Sequence, residues 1–386
     1  MTVEASPLSQ LRTRTSEKWR AYPDDVLPLF VAEMDYPLAE PVAAALHDAI
    51  SRSDTGYIGP DDAAKRALAD FASASWGWEV EPERTLTTTD VSVVIVESLR
   101  LAIRPGDRVI ITPPVYPPFF ELVPEAGGVV DEVPLLFSDA DGWSLDLDGI
   151  ARAFAAGARA FLLCNPHNPL GLVHSAEQLA EVAALAARYD AVVVSDEVHA
   201  PLTHPDATFT PFLSVSAEAR RHGIAAHAAS KAWNLAGLKC AIFVTADDRM
   251  TDRIRSLPIE VEVRTSHLGR IATEAAYRDG RAWLTDALAA IGSNRARLTT
   301  LLAEHLPDAR YCEPHASYLA WVDLRALGWG DDPSARILTE AKVALNPGAD
   351  FGRQGAGFVR LNFACSPAVL EEAVTRIARM RSGWMR

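Results

Sequence analysis

An α/β fold is predicted, built on a mostly parallel sheet with helices on both faces. Three observations predict it. From Leu145 onward, short apolar runs of strand length alternate with helical patterns, as expected of strands buried on both faces. Two of those runs end in polar motifs, and functional residues of parallel sheets collect beyond the strands' carboxyl ends. The chain has 386 residues, 49% hydrophobic and 23% charged, enough for a large core and two or three domains of ~150 residues each.

The formal net charge of −14 argues against nucleic acid or an anionic membrane as partner, since both call for a basic patch. No apolar run approaches the ~20 residues needed to span a bilayer. Cys164, Cys240, Cys312 and Cys365 are scattered in or beside apolar segments, so buried free thiols in a reducing compartment are expected. The first seven residues lack a basic region followed by an apolar one, so no secretory leader is expected. A soluble cytoplasmic protein is the expectation.

In chain order, residues 1 to about 36 read as an arm running into a short strand. A helix starts near Pro41, a favoured early position for proline, and carries Val42, Ala45, Leu46 and Ile50 at helical spacing. Turn residues at 54–60 include Gly56-Tyr57, and Asp61 and Asp62 are candidate caps for a second helix through Leu68 and Phe71. Residues 85–89 read as a strand and Asp90-Val91-Ser92 as the start of a helix through Ile95 and Leu99. A strand, a tight turn and a helix N-terminus form a ready anion site, because free N–H groups and the helix dipole point at the ligand. Another strand, 108–112, runs into a proline-rich loop that holds Tyr116.

Strand 159–164 ends in Asn165-Pro166-His167-Asn168-Pro169-Leu170-Gly171, and strand 191–195 in Ser195-Asp196-Glu197-Val198-His199. The apolar residues before Asp196 make it a buried carboxylate, which is costly without a partner. Next come the apolar run 224–229, then Ser230-Lys231-Ala232-Trp233-Asn234-Leu235-Ala236-Gly237-Leu238-Lys239, then a further apolar run, 240–244. Lys231 is thereby set between two strands. A desolvated lysine has a lowered pKa and attacks carbonyls; a lysine whose stem leads its ammonium to the surface is the plainer alternative. Beyond residue 250 come helices at 250–257, 268–277 and 282–306, strands at 318–323 and 357–363, a helix from Pro333 and a last one after Ser366-Pro367. Arg360 lies within the final strand, where alternation alone does not choose between a buried site and a surface ion pair.

The loop 165–171, the motif 195–199 and the stretch 230–239 together resemble the motifs of fold-type I pyridoxal 5'-phosphate (PLP) enzymes. The likeness is to the class I/II aminotransferase family, and within it to the cystathionine β-lyase (C–S lyase) branch. It spans the chain from Tyr57 to Arg360. It implies a large domain (45–280) with a seven-stranded, mostly parallel sheet between helices, and a small α/β domain (281–386) to which an N-terminal arm (1–44) contributes.

Site roles follow from the same resemblance. Lys231 becomes the Schiff-base lysine and general base, and Asp196 the partner of the pyridine nitrogen. Asn168 donates to the phenolic oxygen, with His199 beside it where transaminases often have tyrosine, and Tyr116 stacks on the ring. Val91, Ser92, Ser230 and Lys239 hold the phosphate, joined by Tyr57 of a second subunit, so a homodimer is implied. Arg360 clamps the substrate carboxylate, and residues 32–35 border the site, although plain packing accounts for them equally.

Two positions depart from the family pattern: Asp90 stands where many relatives have glycine, and Ala228 where a serine often precedes the lysine by three. The implied reaction is β-elimination from a cysteine thioether to thiol, pyruvate and ammonia, with an aminotransferase as the alternative. A regulatory binding module of the same fold would lack the lysine or carry a DNA-binding segment. No metal is expected, since Asp196 and His199 have no further ligands nearby in sequence.

Overall fold

Uninterrupted apolar runs make the middle of the central sheet. In the strands Ala160–Cys164, Val192–Asp196, Gly223–His227 and Ala241–Val244 every residue is buried, which requires cover on both faces. The computed structural model describes residues 3–140 and 142–381; Met1 and Thr2 of the N-terminal stretch, Asp141 and the last five residues lie outside it. Seven strands lie in the order Thr85–Thr88, Ala241–Val244, Gly223–His227, Val192–Asp196, Ala160–Cys164, Arg108–Ile111 and Val129–Glu132. Ala241–Val244 is antiparallel to both its neighbours, and the remaining pairs are parallel.

The covering helices are amphipathic and capped by their own sequence. Ala176–Arg188 starts on a capping box made by Ser175 and Gln178, and buries Leu179, Val182, Ala183 and Ala186 along one face. Each such leucine or valine contributes ~1.5–3 kcal/mol through burial. Val91–Ala102 is capped by Asp90, whose carboxylate accepts from the Val93 amide at 3.1 Å.

A second, antiparallel sheet orders Arg310–Tyr311, Leu319–Asp323, Phe358–Asn362 and Asn346–Pro347. Leu27–Pro28 pairs in parallel with Val343–Ala344, tying the N-terminal segment to the C-terminal part.

Several details differ from the sequence reading. Strand Val129–Glu132 and the hairpin Leu136–Ser138/Gly142–Ser144 are mostly exposed or half-buried, so they lack the apolar alternation that reveals a strand. Asp62 occupies the cap position of helix Ala63–Trp76 but pairs instead with Lys65 at 3.0 Å, and Asp61 accepts from the Ala63 amide. Cys312 is exposed, because it follows the short strand Arg310–Tyr311 at the edge of its sheet; the other three cysteines are buried and all four are free. Among the described residues no helix is long and apolar enough to cross a membrane, and no cluster of His, Cys, Asp and Glu could hold a metal.

Candidate active site

At the carboxyl ends of the parallel strands the chain encloses a cavity of about 360 Å³. Strand geometry delivers its floor. Asp196 ends its strand with Cys164 and Ala226 as register partners, so no charged neighbour flanks it within the sheet. Asn168 stands in the loop after Cys164, His199 three residues past Asp196, and Ser230 and Lys231 on the connection after His227. Val91 and Ser92 open the helix behind Thr85–Thr88, and Tyr116 follows Arg108–Ile111. Arg360 enters from the second sheet.

Every residue that the sequence analysis assigned to cofactor or substrate borders this cavity, Lys239 included, except Tyr57. Tyr57 is 95% exposed, on the loop between helices Glu40–Ser51 and Ala63–Trp76.

The roof of the cavity is backbone from residues 30–33. Lys231 Nζ donates to the Ala32 carbonyl at 3.3 Å, and the Tyr318 hydroxyl donates to the same oxygen at 3.0 Å. Arg360 donates to the Phe30 carbonyl at 3.0 Å, and Asn362 Nδ2 donates to the Val31 and Glu33 carbonyls, both at 2.7 Å. Asn234 grips Met34 through both its amide and its carbonyl, at 2.9 and 3.1 Å. Arg360 also donates to Asn168 Oδ1 at 3.1 Å and Asn346 Oδ1 at 2.6 Å, and its guanidinium lies over the Phe351 ring.

Electrostatics set these groups apart from surface ones. Burial, reinforced by the Arg360 cation and only partly offset by Asp196, pushes the Lys231 amine down to about 8. Burial pushes Asp196 up to about 6, although the Val198 amide donates to its Oδ1 at 3.2 Å. Desolvation takes His199 down to about 3 and Arg360 down to about 10, so the histidine is neutral and the guanidinium charged at pH 7. Among the described residues, His199 Nδ1 and Arg360 Nε are buried without a hydrogen-bond partner.

The position of Asp90 is resolved by two contacts. One oxygen caps its helix, and the other lies 3.3 Å from Lys239 Nζ. The carboxylate is thus turned onto a cap and a cation, as a neighbour of a bound anion must be. Trp233 is packing: it is wholly buried among Phe71 and Tyr277, with its indole N–H donating to the Gly280 carbonyl at 3.0 Å. Asn346, Tyr318, Cys164 and Glu17 escaped the sequence reading. Asn346 and Tyr318 reach the site only through chain crossings, and none of the four carries a motif.

The donor set fits a pyridine carbonyl cofactor bearing a phosphate. An amine shifted toward neutrality, a buried carboxylate, an aromatic ring, a neutral imidazole, and a hydroxyl-bearing helix start beside a lysine surround one space. The model of aminotransferase class I and II matches residues 24–377. The chain belongs to the aminotransferase class I and II family.

Within this family, a Corynebacterium glutamicum protein named cystathionine beta-lyase is 38% identical, over 96% of this chain and 98% of its own. A solved structure from Corynebacterium diphtheriae matches with a TM-score of 0.94 at 37% identity, covering 98% of this chain and 99% of that one. A PLP-bound structure from Clostridium difficile 630 matches with a TM-score of 0.92 at 28% identity, covering 98% of each chain.

Proposed function

We propose that this protein is a PLP-dependent C–S β-lyase of the cystathionine β-lyase type, acting on cysteine thioether amino acids. The observation that carries the reading is the meeting of Lys231, Asp196 and Arg360 on one buried cavity. The choice of elimination over amino-group transfer rests on the Corynebacterium glutamicum relative and its name.

When bound, PLP would supply an electron sink for a carbanion at the substrate's Cα. Lys231 would hold the cofactor through its amine; once displaced by the substrate's amine, its Nζ would take the Cα proton as the Cβ–S bond breaks and the thiolate leaves. The buried Asp196 carboxylate, charged above about pH 6, would keep the pyridine nitrogen protonated. Tyr116 would cover the ring face, and Asn168 and the neutral His199 would donate at the phenolic oxygen. Val91 and Ser92 at the helix start, with Ser230 and Lys239, would hold the phosphate.

Arg360 is a buried guanidinium able to bind the substrate carboxylate through two parallel hydrogen bonds, fixing direction as well as charge. Its present partners are carbonyl and amide oxygens, which an incoming carboxylate can outbid in charge.

The reading includes a homodimer. Ile50, Tyr57, Ile259 and Val263 are exposed apolar residues that a second subunit could cover. The Tyr57 loop is anchored by Arg270, which donates to the Gly59 carbonyl at 2.7 Å. A second subunit covering them would bring its Tyr57 to the phosphate. Free thiols fit a reducing cytoplasm.

The test is incubation of the purified protein with PLP and L-cystathionine, with and without a 2-oxo acid. Pyruvate and free thiol formed without an acceptor support the lyase. A strict need for acceptor would make the protein an aminotransferase, and protein that never takes up the cofactor's visible absorbance would remove both readings.

A further inference from the structure

The face of the central sheet turned away from the cavity holds a buried carboxyl–imidazole pair that the mechanism above leaves unused. Asp196 points to the cavity, so its neighbours Ser195 and Glu197 project to the other side, as side chains on a strand alternate. Glu197 is wholly buried. Its Oε1 accepts from the Ser195 hydroxyl at 2.9 Å and from the Phe212 amide at 2.8 Å. Its Oε2 lies 3.0 Å from Nε2 of His227, which is 1% exposed and ends the neighbouring strand. The His227 ring lies against Trp76 and Trp78, with centroids 5.6 and 5.8 Å away at tilts of 32° and 38°. A protonated ring at this position would face a carboxyl group and two aromatic rings at once.

This pair adjoins Asp196 directly. Glu197 is the next residue, and His227 follows Ala226, the register partner of Asp196. A lone Glu197 charge would repel the Asp196 carboxylate and favour its protonated form, as happens when two carboxylates share a site. A neighbouring cation cancels that repulsion.

We propose that Glu197 and His227 form a buried ion pair that acts as a positioning pair for Asp196, holding its carboxylate charged toward the cofactor from the reverse face of the sheet. The inference rests on the cofactor reading above. The other titratable groups facing Asp196 are Lys231 from the connection, Tyr116 from the proline-rich loop and Cys164 from the adjacent strand. His199 and Arg360 border the same cavity. These are common to all variants below.

The experiment compares wild-type holoenzyme with His227→Gln, Glu197→Gln and the double variant by the pH profile of kcat/KM. His227→Gln strands the Glu197 charge, so the acid limb should move up by about one pH unit. Glu197→Gln removes the anion and leaves the cation, so it should move the limb down, and the double variant should return near wild type. In the cofactor-free protein, the infrared band of protonated carboxyl groups, titrated over the same range, should move in the same directions.

A purely structural role would lower thermal stability in all three variants and leave both titrations where they are, which would overturn the proposal. If His227→Gln does not fold, Glu197→Gln still decides: an acid limb moved down supports the proposal, and one unmoved or moved up overturns it. Failure of the wild type to bind PLP would instead refute the cofactor reading itself.

Discussion

Lys18 is wholly and Lys231 partly withdrawn from water, and the two have opposite surroundings. Lys18 is wholly buried, 2.6 Å from Asp35 Oδ1, and also donates to the Glu33 carbonyl at 3.0 Å. Lys231 has a carbonyl at 3.3 Å and, among the described residues, no carboxylate within ion-pair reach. Its nearest strong influence besides burial is another cation, Arg360. The difference teaches what makes a buried amine reactive. A matched carboxylate ties the ammonium into a structural pair, whereas burial beside a carbonyl and another cation lowers the proton affinity of Lys231 and leaves its amine nucleophilic.

The contrast can be broken most strongly at the unpaired lysine. Lys231→Ala should lower turnover by about a thousandfold or more and abolish the cofactor's visible absorbance, with little change in denaturant midpoint. Retained absorbance would mean another lysine carries the cofactor. Lys18→Met should do the reverse, costing about 3–5 kcal/mol in denaturant unfolding because Asp35 is left unpaired, while folded protein still takes up PLP. Adding Asp35→Leu should recover most of that loss, since the two effects share one pair.

A gentler probe is pH. Lowering the lysine's proton affinity means that the neutral amine accumulates as pH rises, so capture of PLP by cofactor-free protein should accelerate with pH and level off above about 8. Arg360→Met removes the second cause of that shift, so the midpoint should move upward, by roughly one unit. An unmoved midpoint would assign the shift to burial alone. The smallest effect is expected at Asp90. Asp90→Asn keeps a good helix cap but removes the charge beside Lys239, so PLP affinity should rise a few-fold, measured as the dissociation constant at low salt.

Much of the site was legible because parallel strands end where chemistry happens. Asn168, Asp196, His199, Ser230 and Lys231 all follow apolar runs that advertise buried strands, and the motifs named their positions. Arg360 was named by the resemblance alone, since its strand is buried at every position and alternation carries no information there. The roof was out of reach for a different reason. Its contacts join residues 199 and 330 positions apart through main-chain oxygens, and a carbonyl leaves no mark in a sequence. The contact of Glu197 with His227 was equally hidden, because His227 sits on another strand and reads as one more core histidine.

The roof over the cavity also bears on how the chain tolerates change. Lys231, Tyr318, Arg360 and Asn362 all hold atoms of residues 30–33 that every amino acid possesses. That hold is indifferent to the side chains of the stretch, whose own requirements are set elsewhere: Phe30 packs edge-on against Tyr22, and Glu33 accepts from the Ser16 hydroxyl. An inserted or deleted residue, by contrast, would shift each carbonyl off its donor.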